Sequence, residues 1–135
     1  MLLHTSTLRT TLLGLLLLLS FLPLANSNHY LVPATVEAKI TLTTLKALTA
    51  LDRSIPEFKY QEGCTIRGFN LFLIRPKGDS WGNCNPGAAF NTSTKQFIAK
   101  TQVGDRLIFD NIRLDCGDGV QNIKWGSLGL TVEKE

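Results

Sequence analysis

Histidine is almost missing from this chain: there are two, His4 and His29. Nucleophilic catalysis by serine or cysteine normally borrows a histidine base. His4 falls in an apolar N-terminal segment and His29 just behind it, so no histidine-based triad is expected. Cysteine is scarce too. Cys64, Cys84 and Cys116 lie far apart with no CxxC pair, which argues against a four-ligand zinc site. No phosphate-binding GxGxxG or P-loop pattern occurs. No cationic cluster exceeds the pair Arg75/Lys77, so nucleic acid is not an expected partner. No cofactor is called for by any of these patterns.

What is present is an ordinary globular composition, 44% hydrophobic and 19% charged, over a length that suits one domain. Residues 1–27 read differently. Arg9 is the one charge, followed by "TLLGLLLLLSFLPLANS", which has the apolar run and small-residue exit of a secretory signal peptide. Ala25 and Ser27 place cleavage after Ser27. The alternative is a retained anchor. However, Leu12 to Leu24 contains Pro23 and falls short of the roughly 20 apolar residues a spanning helix needs. Cleavage removes Arg9 and leaves 13 basic against 11 acidic residues, a net charge of +2. The mature chain is then exported, to the periplasm or beyond, with no stable membrane span.

Behind the signal peptide, residues 28–44 read as a leader or edge segment and residues 45–135 as the domain. A short helix or turn is expected around Thr44 to Ala50. From Pro56 the pattern becomes β. "EFKYQE" and "CTIRGFNLFLIR" alternate, then "RPKGDSWGNCNPG" reads as a loop and "AAF" as a short strand. "NTSTKQFIAKTQ" reads as one or two helical turns, capped by a hydroxyl of Thr92, Ser93 or Thr94 and ended by Gly104. In three strands the buried set changes parity partway: at Gly68, at Asp110-Asn111 and at Gly126. A period of two cannot change parity without an extra residue, so each switch marks a β-bulge. Three bulged strands with frequent turns suit a small β-sandwich with one or two short helices.

Four aspartates, Asp105, Asp110, Asp115 and Asp118, lie within fourteen residues. A carboxylate pair could serve a hydrolase, but three of the four adjoin turns or bulges, where aspartate bonds its own backbone. "DCGDG" supplies too few oxygens for calcium. Asn91-Thr92-Ser93 matches a glycosylation sequon, a pattern that arises often by chance. Trp125 suits strand packing. Trp81, in the Gly-rich loop, is the candidate partner contact. If the strands from Cys64 and Leu107 pair antiparallel, Cys64 approaches Cys116 and a disulfide can form, leaving Cys84 as a free thiol. The rival is three free cysteines.

In their order, "LTALDRSIPEFKY", "CTIRGFNLFLIRPKGD" and "NPGAAFNTSTKQFIAKTQVGDRLIFDNIRLDCGDGVQNIKWGSLGLTV" resemble the C-terminal domain of GldM, the gliding-motility and type IX secretion protein of Bacteroidetes. Gly104, Asp105, Phe109, Asp110, Asn111, Ile112, Gly117, Asp118 and Gly119 occupy the signature places. The resemblance covers about Leu45 to Glu135. It implies an Ig-like β-sandwich without a catalytic role, at the distal end of a dimeric periplasmic rod that reaches a lipoprotein ring. Here the expected signal peptide stands where the family has its rod. The resemblance therefore implies a protein-interaction module that docks on other envelope proteins, on type IX secretion ring components or on a second copy of itself. Two other readings stand beside it: a small secreted ligand-binding or inhibitory domain using Trp81, and a hydrolase using the Asp105–Asp118 region.

Overall fold

The computed structural model describes residues 35–135. The expected signal peptide, its expected cleavage point and the leader up to Ala34 lie outside them. Within them the order is β1 (Thr35–Thr41), α1 (Leu42–Ala47), β2 (Cys64–Ile74), β3 (Ser80–Pro86), α2 (Thr92–Lys100), β4 (Arg106–Cys116) and β5 (Ile123–Glu133). The protein is mainly β, and all five strands belong to one mixed sheet ordered β1-β5-β4-β2-β3. β1 runs parallel to β5, and the other pairs are antiparallel. The described residues hold no second sheet facing this one. The opposing layer is made of α1, α2 and the loops around them, which share one core with the sheet.

The parity switches coincide with breaks in register. Pairing of β2 with β4 shifts on both sides of Gly68. Pairing of β4 with β5 shifts between Phe109 and Ile112 and again between Ile112 and Arg113. Asn111 has φ +48°, the left-handed region that asparagine tolerates better than most residues, and Gly126 has φ +113°. The extra residues return Leu107, Phe109, Ile112 and Leu114 to the same face, all buried. Phe69, Phe90 and Phe109 meet there, with ring centroids 5.3 to 6.2 Å apart, and Phe58 packs edge-on against Trp125 at 4.8 Å.

Three boundaries differ from the sequence reading. The sheet starts before Leu45, because Thr35–Thr41 is its edge strand. The first helix starts at Leu42, because the Thr41 hydroxyl caps it by accepting the Thr44 N–H at 3.2 Å. At that same helix start, hydrogen bonds from the Thr43 hydroxyl and N–H hold the Glu135 carboxyl below the usual glutamate range. "EFKYQE" is not a strand. Its alternation arises because Phe58 turns into the core while Tyr60 packs at its margin under Arg53.

Cys64 and Cys116 are register partners at the end of the β2–β4 ladder and are joined by a disulfide across 52 residues of sequence. Cys84 is the free cysteine among the described residues and is exposed. Closing a loop of that length typically stabilises by about 2–4 kcal/mol. Replacing both Cys64 and Cys116 by serine should lower the unfolding free energy by about that amount in urea titration, with the far-ultraviolet spectrum retained. An unchanged midpoint would count against a bridge between these two cysteines.

Candidate functional site

Asp110 and Asp115 lie on β4 and Asp105 and Asp118 beyond its two ends, and all four accept from backbone or hydroxyl donors. Asp105 is 2% exposed; its Oδ2 accepts the Gln102 N–H at 2.9 Å and faces the Arg75 Nε at 3.5 Å. Asp110 accepts the Ser127 hydroxyl across the bulge. Asp115 accepts the Asn122 N–H at 2.8 Å, and Asp118 accepts the Val120 N–H at 3.1 Å within its turn. Asp105 and Asp118 lie beyond opposite ends of an eleven-residue strand. At about 3.3 Å per residue the strand alone holds them more than about 30 Å apart. Paired-carboxylate hydrolysis needs a separation of about 5–9.5 Å, so these two are not brought together.

Trp81 and Cys84 are not in a loop. They lie on edge strand β3, where Trp81 pairs with Leu73 and Cys84 with Asn70. The strand was hard to read because two of its inward residues, Asn83 and Asn85, are polar. Asn85 is 1% exposed, yet its amide donates to the carbonyls of Pro86, Gly87 and Ala89. Its Oδ1 accepts from the Asn91 N–H and from the Thr94 hydroxyl. A buried amide satisfied in this way is a folding clamp. Asn91, not one of the hydroxyls after it, caps α2: its Oδ1 accepts the Thr94 N–H at 2.9 Å and its Nδ2 donates to the Cys84 carbonyl at 3.0 Å. The sequon asparagine is therefore occupied as a structural residue.

Gly78-Asp79-Ser80-Trp81-Gly82 has the G-x-S-x-G spacing of a nucleophile elbow. A nucleophile elbow needs a strand-to-helix turn. Here Ser80 opens β3 after a turn from β2, so the segment is strand–turn–strand. Trp81 is half-buried against the core. The Arg75 guanidinium lies 5.1 Å from its ring centroid and the Lys100 ammonium 5.7 Å. Arg75 also donates to the Lys100 carbonyl at 2.8 Å. It thereby ties the end of β2 to the end of α2 and to Asp105.

Three concavities stand out among the described residues. One lies between β1, α1 and the loop after it, with Ile40, Leu48, Ile55, Glu57 and Glu133 in its lining. A polar dip on the solvent face of the sheet, at the β4 bulge, is lined by Asn70, Asp110, Asn111, Lys124, Gly126 and Ser127. A groove of about 400 Å³ between α1 and α2 has Phe90, Ile98, Leu48 and Ala99 as its apolar lining, with Lys46 and Lys95 beside them. Sequence reading could not find the groove, because its walls are more than forty residues apart and meet through the Ala50–Ala89 bridge. Among the described residues no cluster of metal-ligating side chains occurs, and no helix is long and apolar enough to cross a membrane.

These placements separate the aspartates by stability. Asp105→Ala should cost about 1–3 kcal/mol in denaturant unfolding, because it strips a buried N–H and Arg75 of their acceptor. Asp118→Ala, in an exposed turn, should cost under about 1 kcal/mol. Equal losses would contradict the assignment. No protein-family model and no curated protein matches the chain.

Proposed function

We propose that the chain is a non-enzymatic, exported protein-interaction module similar to the GldM C-terminal domain, docking on cell-envelope proteins of gliding or type IX secretion. The observation that carries this reading is the role of the signature residues. Gly104, with φ +94°, turns the chain between α2 and β4, and Asp105 holds that turn. Phe109 and Ile112 are core residues on either side of the bulge at Asp110-Asn111. Gly117, Asp118 and Gly119 form the turn into β5. Each place serves backbone geometry or packing, as expected of a fold signature and not of an active site.

The export signal is part of the same proposal; the Ig-like sandwich that the resemblance implies is not, because the described residues form a single sheet. The sheet, bent by its bulges, closes its core against the layer of α1, α2 and loops. The Cys64–Cys116 bridge suits an oxidising compartment such as the periplasm or the exterior. A second reading, a small secreted ligand-binding domain, is favoured by the polar dip at Asp110 and Lys124.

The test is affinity capture with the exported chain, tagged at its C-terminus, from envelope extract of its own host. Recovery of gliding or type IX secretion components is the expected result. Recovery of no envelope protein would overturn the module reading.

A further inference from the structure

We propose that the groove between α1 and α2 is the docking site for an acidic peptide segment of a partner protein, anchored by one large apolar side chain. The proposal rests on the module reading above and names its site and its partner chemistry.

The floor is apolar and recessed. Phe90 and Ile98 are 4% and 5% exposed, and Leu48 and Ala99 stand beside them. Its volume of about 400 Å³ lies near the low end of ligand-pocket sizes, roughly 300–1,000 Å³. Such a recess has room for a large inserted side chain, the anchor on which peptide interfaces depend.

The two charged side chains that line it are both cationic. Lys46 and Lys95 line the groove and are exposed. The segments that line it, 46–49 and 90–99, contain no aspartate or glutamate, and the nearest carboxylate bonded to α1, Glu135, sits at the helix start on the Thr43 N–H. Among the described residues the three ion pairs use Arg67, Arg75 and Arg106, so neither groove lysine is neutralised by a carboxylate. A protein surface ordinarily mixes both signs. Cations left unpaired beside a low-dielectric floor focus their field into the groove and favour an anionic occupant. The complement is thus a residue such as phenylalanine or leucine flanked by carboxylates.

A bilayer does not fit this shape, because a flat surface cannot reach the recessed floor. The exposed large apolar residues of β2, Phe72 and Ile74, lie on the sheet's other face, and Phe72 covers Gly82 there. They offer no apolar margin continuous with the groove.

The probe is a fluorescein-labelled pentapeptide, Asp-Asp-Phe-Asp-Asp, followed by fluorescence anisotropy with the full exported chain. Saturable binding is expected, weakening as salt shortens the screening length. Binding should fall at least about tenfold when Lys46→Glu and Lys95→Glu are combined, or when the probe's phenylalanine becomes alanine. Ala99→Trp, which fills the groove, should act in the same direction. Near-ultraviolet circular dichroism checks that each variant is folded, and the two lysine changes alone suffice if Ala99→Trp is not.

The proposal is overturned if the lysine variant binds within about twofold of wild type, or if a lysine-flanked probe binds as well. It is also overturned if the probe does not bind, whether or not oleate or phosphatidylglycerol vesicles do. Affinity capture separates the two levels. A double lysine variant that captures the same envelope partner as wild type refutes the groove and leaves the module reading standing. A wild-type chain that captures none refutes the module reading itself.

Discussion

Continuity of the sheet's buried face is the constraint on which the rest of the structure depends. A strand presents alternate residues to alternate faces, so a chain whose apolar residues change parity must gain or lose one residue in each ladder. β2, β4 and β5 all make this adjustment, near Gly68, Asn111 and Gly126. Without it, half of each long strand would turn its leucines and phenylalanines to water. With it, Phe69, Leu71, Leu107, Phe109, Leu128 and Leu130 form one nearly solvent-free surface.

That surface needs a second layer, and polar side chains position it. Asn85 holds the bend from β3 into α2, satisfying backbone groups that would otherwise be buried unpaired. Arg75 fastens the other end of α2 through the Lys100 carbonyl and Asp105. With α2 fixed at both ends and α1 capped by Thr41, the space between the helices is set by the fold. The α1–α2 groove is a consequence of this clamping.

Much of the sheet was legible because strand alternation is a local pattern. The bulges were legible because a parity break can be counted along a single strand. β3 was not, because its inward residues include Asn83 and Asn85, whose burial makes sense only once the carbonyls and hydroxyl around them are in place. The cap of α2 was misplaced by one residue for a related reason: asparagine and three hydroxyl residues stand in a row, and only geometry selects among them. The same holds for the Asp105–Asp118 region. In sequence it is a cluster of carboxylates, whereas in space a strand holds its ends apart.

The sequence by itself determined the β character of the chain, the positions of its bulges and the turn-making work of its glycines and aspartates, since each of these follows from neighbouring residues. Tertiary structure alone decided the single-sheet order, with β1 returning parallel to β5, and the partnership of Asn85 with the α2 cap. It also decided the meeting of Lys46, Leu48, Phe90 and Lys95 around one groove. These features join segments tens of residues apart. Their energies come from burial and from pairing of polar groups, and neither exists until the segments have packed.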